Sequence, residues 1–157
     1  MEKIIFLDVD GVLNSWKEVK RLPKGSYGLL GTFDIHVERL ARIVKQTGAK
    51  IVLSSSWRSG FYFTEDKHFQ EHITDKFKQF GIEVFSTTGF DLDRNRGKEI
   101  LAWILLHNKP IDTILIIDDE VKDISEFFNK KRIIKTSMKK GLQEKDVKKA
   151  IKILGKE

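Results

Sequence analysis

Three short apolar runs, each broken off by a polar cluster, limit the folds open to this chain. Ile4-Ile5-Phe6-Leu7 ends at Asp8 and Asp10, Ile51-Val52-Leu53 at Ser54-Ser55-Ser56, and Ile114-Leu115-Ile116-Ile117 at Asp118-Asp119. Short β-prone runs without alternation suit strands buried on both faces, as in a parallel sheet. Weaker strands are expected at 82–85 and 132–135. Helical spacing fills the intervals. Ile35, Val37, Leu40, Ile43 and Val44 follow Asp34 and stop at Gly48, and Phe69, Ile73, Phe77 and Phe80 precede Gly81. A third helix is expected from about Lys98 through Ile100, Leu101, Ile104 and Leu105, ending near Asn108 and Pro110. A short one is expected around Ile124, Phe127 and Phe128, and a last one along Val147, Ala150, Ile151 and Leu154. This alternation predicts a three-layer, Rossmann-like α/β fold with a central parallel sheet of about five strands. Right-handed crossovers put every strand's C-terminal end on one rim, where open α/β sheets bind ligands. All three polar clusters fall on that rim.

Composition sets the outer bounds. A chain of 157 residues, 40% hydrophobic and 33% charged, suits one globular domain, taken here as 1–157. No run approaches the roughly 20 apolar residues of a membrane span, so no membrane partner is expected. With no cysteine, disulfides, thiolate catalysis and cysteine zinc sites are excluded, and a cytoplasmic location is expected. The net charge of +6 is unevenly placed: residues 128–157 carry 11 Lys+Arg against 3 acids, and residues 1–127 carry 18 against 20. Such a basic end reads either as a solvated lysine face or as a polyanion-binding surface.

The rim residues point to phosphoryl chemistry. Asp8 and Asp10, two apart on an extended segment, can face one pocket, and Gly11 permits a sharp turn. Asp118 and Asp119 arrive from another strand, with Asp123 on the first turn of the helix that follows. Carboxylates gathered in one cavity repel unless a cation offsets them, and an all-oxygen donor set without Cys or His suits Mg²⁺. Lys98 and Arg96 bring positive charge, and Ser54–Ser56 bring hydroxyls and backbone N–H groups. Acids, a hard metal, a cation and a hydroxyl are what transfer through an aspartyl-phosphate requires.

Asp8-Val9-Asp10-Gly11-Val12-Leu13-Asn14 resembles motif one of the haloacid dehalogenase (HAD) superfamily of phosphohydrolases, with Val12 where a threonine is common. Ser54 resembles motif two, Lys98 or Arg96 motif three, and Asp118-Asp119 motif four. Ser-Ser-Ser-Trp57-Arg58, Arg96-Gly97-Lys98-Glu99-Ile100, Trp103 and Gly141-Leu142 resemble a narrower group. That group is the HAD domain of "Swiss army knife" RNA-repair proteins, related to the phosphatase half of phage polynucleotide kinase. The resemblance implies Asp8 as nucleophile and magnesium ligand, and Asp10 as general acid/base with its backbone carbonyl on the metal. It implies Ser54 on a phosphoryl oxygen and Asp119 as the motif-four ligand, supported by Asp118 and Asp123. For motif three, Lys98 is preferred because it stands at the start of the helix, while Arg96 belongs to the Arg-Gly-x-Glu-Ile pattern.

Other residues carry less. Trp16 and Trp103 read as packing. Trp57 and Arg58 have the best claim to substrate contact, beside Gly11 and Ser55. His36, His68, His72 and His107 show no metal-ligand pattern, and His68 and His72 are expected at the surface. Gly25, Gly28 and Gly31 read as part of a flap, not a dinucleotide loop. The roughly twenty residues between Asn14 and Asp34 are too few for a cap domain, so the enzyme is expected to be nearly capless and open to a polymer end. Three functions are weighed. The first is a phosphatase at polynucleotide ends, with RNA or DNA 3′-phosphates as substrate and a separate kinase or ligase as partner. The second is a nucleotide or small-molecule phosphomonoesterase. The third is a receiver-like domain, disfavoured because the Asp-x-Asp pair comes first and the double Asp late. A monomer is expected.

Overall fold

The computed structural model describes residues 1–24 and 31–156. Five strands, β1 (Ile4–Leu7), β2 (Lys50–Leu53), β3 (Val84–Thr87), β4 (Ile114–Asp118) and β5 (Ile133–Lys135), form one sheet in the order β3-β2-β1-β4-β5. Every pairing is parallel. The helices are α1 (Trp16–Val19), α2 (Asp34–Thr47), α3 (Lys67–Gln79), α4 (Arg96–Leu106), α5 (Lys122–Ser125) and α6 (Glu144–Leu154).

The two-residue period of β1 creates the three layers. Ile5 and Leu7 face a core completed by Val37, Leu40 and Ile43 of α2, Ile73 and Phe77 of α3, and Val147, Ala150 and Leu154 of α6. Ile4 and Phe6 face the opposite core, with Ile100, Trp103 and Ile104 of α4 and Ile124 beside α4. Trp103 meets Phe6 edge to face at 5.4 Å. The expected α/β architecture is therefore observed, with shifted details. The third strand begins two residues late, at Val84, because Ile82 N–H still donates to Phe77 O in the turn that closes α3. Leu105, expected on a core face, is exposed, since α4 turns Ile100, Trp103 and Ile104 inward instead. A 3-10 helix, Ser56–Phe61, also lies between β2 and α3. The expected flap falls partly on residues 25–30, outside the described residues, while Lys17 and Val19 lie in α1. No helix among the described residues is long and apolar enough to cross a membrane.

Hydrogen bonds of the parallel ladder run one step past the strands and so fix the rim. Asp8 N–H donates to Ile117 O (3.0 Å), Ser54 N–H to Leu7 O (2.9 Å) and Thr136 N–H to Asp118 O (3.0 Å). The chemistry-bearing residues thus start from backbone as rigid as the sheet itself.

Candidate active site

Central strand β1 delivers Asp8 to the middle of the rim, with β4 and its acids directly beside it. Carboxylate oxygens of Asp8, Asp118 and Asp119 lie within 4.8 Å of one another. The chain can turn this tightly because Gly11 has φ +78°, where a side chain is strained. A Cβ at Gly11 would also stand 2.5 Å from Asp119 Oδ2. Behind the turn, Asn14 Oδ1 accepts from Gly11 N–H (2.9 Å) and the Thr136 hydroxyl donates to Gly11 O (2.6 Å).

Of the two motif-three candidates, Arg96 is the one that lies beside the acids. One guanidinium nitrogen lies 3.2 Å from Asp8 Oδ1 and 2.7 Å from Asp118 Oδ2. Lys98, preferred on sequence, projects away from the acids and meets Asp93 at 3.5 Å. The reason is local. Asn95 caps α4 by accepting Lys98 N–H, which fixes Arg96 at the first helical position, and two further residues rotate Lys98 some 200° about the axis. Gly97 lets α4 approach closely, since a Cβ there would stand 2.4 Å from Asp123 O.

Burial of these charges sets their protonation. Loss of hydration pushes Asp8 up to about 6, against the pull of Arg96 and with the help of Asp119. Asp118, fully buried, is pushed to about 7 by desolvation and by the charge of Asp8. Desolvation also raises Asp119. Burial disfavours the charged form of Arg96, but the Asp8 and Asp118 carboxylates outweigh this and hold it above its ordinary range. Three clustered acids, only two of them in contact with Arg96, leave a surplus of negative charge that a hard divalent cation would offset. The donors fit Mg²⁺: they are all oxygen, mutually close, and carried on fixed backbone. Asp118 has both oxygens engaged, one by Arg96 and one by the Glu120 N–H at 3.0 Å. Its part is therefore to hold Arg96, while Asp8 and Asp119 keep oxygens toward the cavity. The Asp10 carboxylate is outside the cluster, and Asp123 lines the cavity without joining it.

Asp10 is instead fixed in orientation on the same turn. Asn14 Nδ2 donates to Oδ1 at 2.9 Å, and the Trp57 indole N–H reaches both oxygens at 3.3 Å. Trp57, expected to touch substrate, is buried against Phe69 and His72, with its indole N–H turned to Asp10. Arg58, expected in the same role, is buried too. It donates to Ser54 O (3.0 Å) and Ser55 O (2.8 Å) and pairs with Glu99 at 2.5 Å, tying the end of β2 to α4.

The three serines after β2 fall in different surroundings. Ser54 is fully buried and its hydroxyl has no partner among the described residues. Ser55 accepts Trp57 N–H (3.1 Å), and the exposed Ser56 is the one lining the 420 Å³ cavity. Arg94, Glu120 and Lys122 also line it. No spacing rule points to these three: loops carry Arg94 and Glu120, and Lys122 opens the one-turn helix α5. Of the histidines, His68 is exposed as expected and His72 is half-buried, bonded to the Thr32 hydroxyl at 3.0 Å. His36 is buried, its Nδ1 donating to Leu142 O and its Nε2 accepting from the Ser15 hydroxyl, both at 3.0 Å.

The described residues thus combine an Asp-x-Asp turn, a rim hydroxyl, a helix-borne cation and a double Asp, in that order at strand ends. The family profile described as "HAD domain in Swiss Army Knife RNA repair proteins" matches residues 4–147. No curated protein and no solved structure matches the chain. Over almost its whole length, then, the chain belongs to the family of HAD domains found in Swiss Army Knife RNA repair proteins, and its fold is the HAD-like one.

Proposed function

We propose that this HAD-family domain is a magnesium-dependent phosphatase that hydrolyses phosphomonoesters through an aspartyl-phosphate on Asp8, at the 3′-phosphate ends of polynucleotides. The observation that carries the reading is Asp8 beside the Arg96 guanidinium at 3.2 Å, with Asp10 held on the same turn by Asn14 and Trp57. An Asp8 carboxylate oxygen attacks phosphorus; as that O–P bond forms, the bond to the leaving alcohol breaks and Asp10 donates its proton to the departing oxygen. Asp10, now a carboxylate, takes a proton from water as the water oxygen attacks the phosphoryl group. The acyl-phosphate bond breaks, releasing inorganic phosphate and restoring Asp8. Arg96 offsets charge on the equatorial oxygens, and Ser56 offers them a hydroxyl. Mg²⁺ held by Asp8 and Asp119 would supply further neutralisation of the phosphoryl oxygens.

Three features support a polymer end as substrate. The segments around the site among the described residues form no separate cap, the cavity is bordered by Arg94, Arg96 and Lys122, and the family is described by RNA repair. The test is phosphate release with Mg²⁺ from simple esters, nucleotides and oligonucleotides bearing 3′- or 5′-phosphates, with and without a chelator. Asp8→Asn is expected to lower turnover by about 10³-fold or more, as other nucleophile removals do. Retained turnover in that variant would sink the mechanism. A preference for free nucleotides would replace the polymer substrate with a small one.

A further inference from the structure

The catalytic cavity continues sideways into a second one of about 610 Å³, and Ser56, Arg94 and Arg96 line both. The second cavity has an apolar wall. Phe63 and Phe90 are about half exposed (48% and 51%), and Leu92 is wholly so. Contiguous apolar side chains held in water next to a reaction centre mark a binding surface.

The surface is built rather than incidental. Phe90 rests on the Arg58 guanidinium at 4.1 Å and meets the edge of Tyr62 at 5.5 Å, with Phe63 at 6.1 Å. The loop carrying Phe90 and Leu92 is tied down where the Asp91 N–H donates to Glu99 (3.0 Å). The Asp91 carboxylate in turn accepts from the N–H groups of Asp93 (3.1 Å) and Asn95 (3.3 Å). Arg94 has a left-handed backbone, φ +54°, which a non-glycine residue adopts at a cost. It is exposed and forms no ion pair among the described residues.

We infer that this second cavity is the subsite for the nucleobase of the terminal nucleotide, which stacks on Phe90 and Phe63 while Arg94 meets the neighbouring backbone phosphate. The inference rests on the phosphatase reading for where the terminal phosphate sits. Open aromatic faces flanked by arginines suit a flat, polar π-system joined to phosphates better than an aliphatic chain. Stacking of this kind tolerates any base, which suits an enzyme acting on ends of arbitrary sequence.

Two 3′-phosphorylated oligonucleotides separate the possibilities, one ending in an ordinary nucleotide and one ending in an abasic residue. Their affinities are measured by competition for the Asp8→Asn protein, and again for the unmodified protein in chelator. The ordinary end is expected to bind about 5- to 150-fold more tightly, the range of base–aromatic stacking. That ratio should collapse toward one in Phe90→Ala and Phe63→Ala, both truncations at half-exposed positions. Equal binding of the two oligonucleotides by the unmodified protein overturns the subsite, and so does an undiminished ratio in both folded variants. If the ordinary end is preferred but no phosphoester is hydrolysed with Mg²⁺, the phosphatase reading falls while the subsite stands.

Discussion

Replacing Glu99 by glutamine should destabilise this protein by stranding the buried charge of Arg58. The Arg58 and Glu99 side chains are each only 4% exposed and meet at 2.5 Å. Glu99 also accepts the Asp91 N–H, and Arg58 donates to Ser54 O and Ser55 O. Burial pulls the Arg58 pKa down, and the Glu99 charge is the main force opposing it. Breaking a buried pair by neutralising one partner typically costs about 3–5 kcal/mol, because the remaining charge is stranded. Glutamine keeps an acceptor for Asp91 and for one Arg58 N–H, so the lower end, about 3 kcal/mol, is expected. In a chain of this size that lowers Tm by about 6–12 °C. Urea and thermal unfolding followed by circular dichroism measure it. A double replacement, Arg58→Met with Glu99→Leu, removes both charges and should recover most of the loss. An unfolding free energy for Glu99→Gln within about 1 kcal/mol of the parent would refute the argument, since the pair would then be well hydrated.

Two further outcomes follow from the site and its supports. Arg96→Ala should lower kcat by about 100-fold or more, whereas Lys98→Ala should stay within about threefold, because only Arg96 reaches Asp8; equal losses in steady-state assays would restore Lys98 to the site. Desolvation holds the His36 pKa below its ordinary value of about 6.5, so the unfolded chain binds the proton more readily and stability must fall as pH drops below that value. Urea midpoints at pH 7.5 and 5.0 should therefore differ less in His36→Gln than in the parent, and identical differences would count against a buried neutral imidazole.

Which parts of this were legible in the sequence depends on how local the cause was. Ile4–Leu7 and residues 114–117 could be read as buried strands because continuous apolar runs have few other uses. The α/β architecture, and Asp8, Asp10 and Asp118-Asp119 on one rim, follow from strand polarity alone, since every parallel strand ends on the same side. Side-chain direction obeys no such rule. Arg96 and Lys98 are two residues apart on one helix, and only the Asn95 cap and the approach of Gly97 to Asp123 decided which faces Asp8. Trp57 and Arg58 carry the chemistry of a binding pair, yet the 3-10 turn after β2 buries both, one against Asp10 and one against Glu99. Tertiary structure likewise placed Ser56 at the cavity rather than Ser54, and brought Phe63 and Phe90 together from loops 27 residues apart in number. Backbone periodicity is written in neighbouring residues. A contact between distant loops exists only once the sheet has fixed where each loop begins.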